Sequence, residues 1–415
     1  MTQPTVLISG LPYNPSVHAG GTLTPLLIFL CALCWAALAL TWVGYPIWLQ
    51  ARARSHPRER IGGSHARWPS VTIVVVVHNA EAWLRPLLEN LVALAYPRDL
   101  RRILVVSNAS TDFTDAVAAL FADQGVDLLR VMGPRRQAAV AENIARRHVD
   151  SDLVVALRPT ARLRPAALAA LVAPFTDPTV GVAYGREVAA ELTEHGARIH
   201  RSPYARYEAW LRDRETTVFG TVSARASLYA VRGELFRFPV SATLSPDFAT
   251  ILAARERGFR AVYAPDAECV ILRQRSLRSN YGRTVRAVTR DVATLLTKPH
   301  LLDPRRYGVF AIQLLGHKLG RWLTPWALAG GVAGLLLLAP ADVLARGAVL
   351  LAFALAVDAA VAWRVPQTAL GRLAALPGRL AATVVAMAHA LLMALYAGPE
   401  LQLEAAVRRP WFPNI

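Results

Sequence analysis

The sequence predicts an α/β fold, a mostly parallel sheet with flanking helices, joined to apolar helices at both ends of the chain. Three observations carry this. Val71 to Val77 is a continuous apolar run, VTIVVVV, of the kind buried on both faces inside a parallel sheet. A helical pattern follows (Ala82, Leu84, Leu87, Leu88, Leu91), stops at Tyr96-Pro97, and yields to a second apolar run, Ile103 to Val106. Strand, helix and parallel strand make a βαβ unit, whose ligand crevice lies beyond the carboxyl ends of its strands. Finally, Met1 to Gln50 contains no Asp, Glu, Lys or Arg, and Leu23 to Leu49 is long enough to span a bilayer.

Composition agrees with a globular domain attached to a membrane. The 415 residues are 54% hydrophobic and only 18% charged, with a mean hydropathy of +0.32, too apolar for a soluble enzyme of this length. The net charge of +17 comes almost wholly from arginine, since Lys298 and Lys318 are the only lysines. An arginine- and alanine-biased genome explains that charge as well as anionic lipid headgroups or a sugar-diphosphate do. No nucleic-acid recognition motif accompanies it. Three cysteines make no disulfide framework; Cys31 and Cys34 lie in an apolar helix without histidine partners, and Cys269 in a strand-like run reads as core.

In chain order, a tail (1–22) precedes the anchor (23–49), with Trp42, Tyr45 and Trp48 as an interfacial belt. Arg52, Arg54, Arg58 and Arg60 follow at once, which places the next domain in the cytoplasm by the positive-inside rule. The α/β domain covers 70–272, with further strands expected at Asp127–Met132, Asp152–Leu157 and Val180–Tyr184, and helices from Ala138 and near Pro165. Residues 275–322 read as interfacial amphipathic helices: Arg275, Arg278, Arg283, Arg286 and Arg290 share one face, and Phe310 to Trp322 forms a second segment. Three spans follow within 323–398, near Trp326–Val343, Ala348–Ala362 and Leu380–Ala397, and a tail fills 399–415. The expected location is the inner (plasma) membrane, multi-pass, with the main domain cytoplasmic.

The pair VVVVHNAEAWLRPLLENLVALAYP and ILVVSNASTDFTD resembles the opening of membrane-bound family-2 glycosyltransferases, inverting enzymes of GT-A fold that include polysaccharide synthases. Tyr204 to Arg212 resembles that family's W-R-Y-E-x-W-L helix, and Ser223 to Phe236 its acceptor-side segment G-A-N-G-A-L-Y-A-I-R-R-E. Ser245 to Ala267 matches the helix and strand after its catalytic base. The resemblance covers Val71 to Trp322. It implies a Rossmann-like GT-A sheet, a nucleotide-diphosphate sugar as donor, a glycan or lipid-linked acceptor, and a lipid bilayer as surroundings.

Carried over position by position, the resemblance makes Asp247 the general base, although its acidic neighbour is Pro246 here. His78, Asn79, Ser107, Asn108, Arg135, Arg136, Arg158 and Thr160 fall on the nucleotide-sugar side, and Ser223, Arg225, Arg283 and Arg286 on the acceptor side. Several positions depart from the family. Asn108 replaces an aspartate, though an amide can still hydrogen-bond a base or ribose. The Asp-x-Asp motif has become Arg158-Pro159-Thr160, from which the Mg²⁺/Mn²⁺ site is expected to be absent and no cofactor is expected. Ala138 stands where the lysine of G-K-x-x-A-L-N would be, and Q-x-x-R-W keeps only its arginine, at Arg286.

Two readings follow. Arg158, with Arg135, Arg136 or Arg286, can offer guanidinium charge to phosphate oxygens, leaving a working transferase of exopolysaccharide or cell-envelope glycan synthesis. Alternatively the motifs have decayed, and the chain is a pseudoenzyme partnering a second polysaccharide-synthesis subunit. A membrane binding module without sugar chemistry explains the arginines but not Tyr204–Trp210 or Ser223–Phe236. His148, His195, His200 and His317 show no ligand spacing and read as surface or interfacial groups. Ser110-Thr111-Asp112 reads as the cap of the helix after it.

Overall fold

The computed structural model describes residues 16–55, 68–133, 138–193, 196–200, 202–223, 227–238, 241, 244–272, 277–340, 343–364 and 375–396. The chain divides into two compact units, Met1–Leu40 with Leu323–Ala381, and Thr41–Trp322 with Ala382–Ile415.

In the larger unit, the described strands are β1 (Val71–Val77), β2 (Arg101–Asn108), β3 (Val126–Val131), β4 (Leu153–Leu157), β5 (Ala161–Leu163), β6 (Val180–Thr193), β7 (Gly196–His200), β8 (Leu228–Arg232) and β9 (Arg260–Leu272). They form one sheet in the order β3-β2-β1-β4-β8-β6-β9-β5, with β7 hairpinned onto β6. The β1 strand pairs in parallel with β2 and β4, and β2 with β3. Beyond β4 the sheet turns mixed: β8 runs antiparallel to both β4 and β6, and β6 runs parallel to β9. The valine run predicted this central position, since β1 is buried on both faces: Ile73 and Val75 fill one core layer and Val74 the other.

The smaller unit contains α1 (Ser16–Ala39), which leads into α2 (Tyr45–Arg54) of the larger one. The α/β helices are α3 (Glu81–Val92), α4 (Thr114–Ala119), α5 (Ala138–Ala145), α6 (Ala167–Val172), α7 (Pro203–Val218), α8 (Gly233–Phe236), α9 (Pro246–Glu256) and α10 (Leu277–Leu296). Leu84, Leu87, Leu88 and Leu91 of α3, at helical spacing, are the wholly buried stripe that packs on the first layer. On the opposite layer lie Ala141 and Ala145 of α5 and Phe248, Ile251 and Leu252 of α9. Next come α11 (Pro304–Tyr307), α12 (Val309–Gln313) and, through a π-turn at Leu314–Leu319, α13 (Gly320–Leu338). The chain continues with α14 (Val343–Arg364) and α15 (Ala375–Tyr396).

Among the described residues, two helices are long and apolar enough to cross a membrane by length and composition, Thr24–Arg54 and Val309–Leu338. On the first, Phe29 is 62% exposed and Leu33 55% exposed, an apolar surface with no protein cover. Val343–Ala354 and Leu380–Tyr396 are shorter apolar helices. The expected second interfacial segment, Phe310–Trp322, is instead continuous with the helix that follows it, and Phe310, Leu314 and Trp322 are buried in the domain core. In the smaller unit, the Cys31 thiol donates to the Gly331 carbonyl at 3.5 Å, and a Cβ on Gly334 would lie 2.7 Å from Cys31 Cβ. Cys31 is thus a close-packing residue between helices, as glycine-bearing helices favour.

Candidate active site

The loops after β1 and β2 meet at the carboxyl edge of the sheet, and side chains lock them together. The Asn108 carbonyl lies 2.9 Å from Nδ1 of His78, and Oδ1 of Asn79 accepts from the Thr111 amide at 2.9 Å. The Asn79 amide donates to Ser110 Oγ at 3.2 Å, and Ser110 accepts from Ser107 Oγ at 3.1 Å. Asn79 (φ 46°) and Ala109 (φ 54°) are both left-handed. The family's glycine at the second position is explained by that φ; alanine there costs on the order of 1 kcal/mol.

Asp112 satisfies the start of α4 as expected, though from one position before the N-cap residue Phe113, which has no side-chain bond. It accepts from the Thr114 amide, first in α4, at 3.1 Å, and from the Glu81 amide at the start of α3 at 3.2 Å. Those bonds outweigh its slight desolvation and hold its carboxyl below the usual range.

Arg158 and Thr160 lie on the next turn, at the end of β4, and both are exposed. The Arg158 amide donates to the Ser227 carbonyl at 3.2 Å, and Ser227 Oγ donates to Glu187 Oε2 at 2.5 Å. A carboxylate from β6 therefore stands beside the turn that has lost two aspartates. Sequence reasoning missed Glu187, because no motif marks it and only the β4–β8–β6 pairing brings it there.

Asp247 sits in the first turn of α9, after the Ser245 N-cap, where the helix dipole favours the ionised form. Its backbone carbonyl accepts from the hydroxyl of fully buried Tyr184 at 2.8 Å. The Ser245 amide donates to Thr294 Oγ1 at 2.9 Å, which docks α10 against this turn. On α10, Arg290 is close enough to feel the charge of Asp247. Burial, then Arg286, lower its affinity for the proton, and the Asp247 carboxylate partly restores it. Arg286, the motif-matched arginine, is exposed, and Arg283 bonds to Asn280 on its own helix.

Ser223 is buried, and its carbonyl accepts from Thr221 Oγ1 at 2.9 Å. Arg135, Arg136 and Arg225 lie outside the described residues. The G-K-x-x-A-L-N counterpart serves the core: Glu142 accepts from Arg146 at 2.8 Å and from the Tyr229 hydroxyl at 3.3 Å. Burial pushes the Glu142 carboxyl up, against the pull of Arg146 and Tyr229.

Two expectations near α7 are corrected. His317 is a buried group, with Nδ1 2.5 Å from Glu215 Oε1, and neither a surface nor an interfacial one. Tyr45 is likewise buried and donates to Glu215 Oε1 at 2.7 Å, so it is no part of an interfacial belt. Both were assigned from local apolar context, which cannot show a polar partner arriving from a distant helix.

Residues 72–235 match the family described as glycosyl transferase family 2. No curated protein matches the chain in sequence. Among solved structures, a mannosyltransferase from Pyrobaculum calidifontis, in complex with GDP-Man and Mn²⁺, is similar at 24% identity and a TM-score of 0.66. The match covers 88% of this chain and 99% of that one. TarS (residues 1–349) from S. aureus gives 12% identity and a TM-score of 0.40, over 64% of this chain and 88% of that one. Glucosyl-3-phosphoglycerate synthase from Mycobacterium tuberculosis gives 17% and 0.39, over 60% and 80%.

The Mn²⁺ in the mannosyltransferase corrects the expectation that a divalent cation has no place at such a site. Mg²⁺ and Mn²⁺ are commonly held by substrate phosphates and water with only one or two carboxylates, so losing Asp-x-Asp does not remove the means of binding one. Among the described residues no three His, Cys, Asp or Glu side chains converge on a metal position. The sheet order and the βαβ opening agree with the family match: residues 72–235 form a glycosyl transferase family 2 domain, on a GT-A-like fold.

Proposed function

We propose that the chain is a membrane-attached glycosyltransferase that moves a sugar from a nucleotide-diphosphate donor to an acceptor hydroxyl. The observation that carries this is Asp247 in the first turn of α9, backed by Tyr184 and Arg290, at the same sheet as the β1, β2 and β4 loops. The nucleoside rests against exposed Asn79, with buried Ser107 and Asn108 shaping the turn beneath it. The diphosphate faces Arg158 and Thr160, the exposed residues of the turn after β4. Glu187 would be the carboxylate to share a divalent cation with the diphosphate, and such an ion would supply charge neutralisation to the leaving group. Asp247 accepts the acceptor's hydroxyl proton while that oxygen bonds the sugar's anomeric carbon. The carbon–phosphate-oxygen bond breaks, and the nucleoside diphosphate leaves with the electron pair.

The apolar helices Thr24–Arg54 and Val309–Leu338 support attachment to a membrane, and the arginines after residue 50 support a cytoplasmic domain. We extend this to a multi-pass inner-membrane protein of envelope-glycan or exopolysaccharide synthesis, with 70–272 as its catalytic domain and 323–398 as further spans. The test is transfer of label from GDP-mannose or UDP-N-acetylglucosamine into the lipid and glycan fractions of membranes holding the chain. Transfer that persists undiminished in Asp247→Asn would refute the assignment. A second reading, a non-catalytic partner of an intact synthase, draws on Arg158 and Thr160 standing in place of two aspartates. It predicts label transfer only when that second subunit is present.

A further inference from the structure

We propose that Glu215 and His317 are positioning residues that hold the start of the acceptor-side segment, tying it to the helical segment Val309–Leu319. The proposal rests on the transferase assignment only for its consequence on substrate, and on geometry for the rest. Glu215 lies at the end of α7, fully buried, and uses its two oxygens differently. Oε2 accepts from Thr221 Oγ1 at 3.0 Å and from the Val222 amide at 3.3 Å, both in the loop that enters Ser223–Phe236. Oε1 accepts from Tyr45 at 2.7 Å and lies 2.5 Å from His317 Nδ1. The other ring nitrogen of His317 faces Glu208 Oε2 at 3.7 Å, and Glu208 also meets Arg321 and Arg212.

The loop has little freedom once bonded in this way. Thr221 donates its amide to the Ala261 carbonyl at 2.7 Å, and a Cβ on Gly220 would lie 2.7 Å from that same oxygen. Backbone thus passes directly over backbone, and the Glu215 carboxylate fixes the loop's opposite side. Gln313, one turn before His317, adds a bond from its side-chain amide to the Glu215 carbonyl at 3.2 Å. A displacement of the segment Val309–Leu319 must therefore move the carboxylate that holds Thr221 and Val222. A buried carboxylate so fully engaged is costly to strand, so the loop and this segment shift together.

The experiment combines amide exchange with substrate titration on the full chain in detergent or nanodiscs. In Glu215→Ala, exchange at Val222 should quicken about tenfold or more, since its amide loses its acceptor. Affinity for GDP-mannose or UDP-N-acetylglucosamine, whichever the wild type uses, should stay within about twofold. The amount of host-membrane lipid extract giving half-maximal transfer should rise at least about fivefold. His317→Gln should share the pattern, weaker in size. Thr221→Val, which spares the ionic groups, keeps the test sound if Glu215→Ala folds poorly; it should raise the extract requirement without altering donor affinity. Unchanged exchange at Val222, or donor affinity falling in step with acceptor use, would overturn the proposal. If the wild type transfers nothing, the exchange result still decides the positioning role, and the transferase assignment fails separately.

Discussion

The turn after β4 and the face of α7 handle charge in opposite ways. At the turn, Arg158 and Thr160 are exposed side chains standing where the family places two carboxylates. On α7, Glu208 and Glu215 are buried and bonded from several sides by His317, Tyr45, Thr221, Arg212 and Arg321. A water-facing charge can be exchanged at little cost to folding, because solvent screens whatever replaces it. A buried charge cannot be exchanged singly, because its partner is then left desolvated and alone. The difference teaches that motif loss at the turn speaks about donor handling and says nothing against the integrity of the scaffold.

The largest effect should come from the buried side. Glu208→Ala should lower folding stability by about 3–5 kcal/mol, leaving Arg321 and Arg212 without their carboxylate. Chemical denaturation in detergent would measure it, and a loss near zero would mean that water reaches this network. pH sharpens the same point. Burial raises both carboxyls, but His317 and its neighbours outweigh burial and hold Glu208 well below the usual range and Glu215 below it. The folded state then binds fewer protons than the unfolded chain. The stabilisation is complete above the unfolded carboxylate pKa of about 4.3 and is lost as pH falls from there through the depressed folded values. Glu208→Ala should flatten that acid limb.

On the crevice side, Asp247→Asn keeps the shape of the helix turn and removes the base. Transfer should fall on the order of a hundredfold or more, with donor affinity unchanged. Equal loss of donor binding would mean that Asp247 serves the nucleotide. Arg158→Ala should weaken donor binding by roughly 1.5–3 kcal/mol without affecting thermal stability, as an exposed phosphate-facing group would. Chelation by EDTA, measured as donor affinity by calorimetry, should weaken binding by about tenfold, and Mn²⁺ should restore it. Wild-type affinity untouched by EDTA would separate this chain from the Mn²⁺-bearing mannosyltransferase.

How much of this the sequence disclosed depends on the range of the interactions. Strands β1 and β2 were legible because Val71–Val77 and Ile103–Val106 are uninterrupted apolar runs with a helical stripe between them. The β6 strand was legible only to Tyr184; its continuation alternates apolar and polar residues without a continuous apolar run, and pairing with β9 as far as Ala190 and with β7 beyond it extends the sheet. Asp247 was singled out through its motif, which also placed it at the start of a helix, where α9 has it. Glu187 and Arg290 were not, since each reaches the site across two elements that sequence spacing does not relate. Arg283 and Arg286 were read as acceptor-side from the Q-x-x-R-W match, whereas helix docking through Ser245 and Thr294 brings Arg290 to Asp247. His317 was misjudged for the same reason, because Glu208 and Glu215 lie about a hundred residues away.

The smallest expected effect tests whether the crevice is supported from beneath. Tyr184 and Tyr229 lie side by side in the core, ring centroids 5.6 Å apart, on neighbouring antiparallel strands. Their hydroxyls point to different tasks. Tyr184 donates to the Asp247 carbonyl at 2.8 Å, and Tyr229 to Glu142 at 3.3 Å. Replacing either by Phe keeps the ring and its packing, so each should cost only about 1 kcal/mol of stability, the usual net worth of one buried hydrogen bond. Their effects on transfer should differ. Tyr184→Phe loosens the turn that carries the base, so kcat should fall by about two- to fivefold with the donor KM unchanged. Tyr229→Phe leaves Glu142 still paired with Arg146 and should leave kcat alone. Matching losses in both variants would mean that the crevice feels only overall stability. A loss confined to Tyr184→Phe would mark its hydroxyl as the prop beneath Asp247.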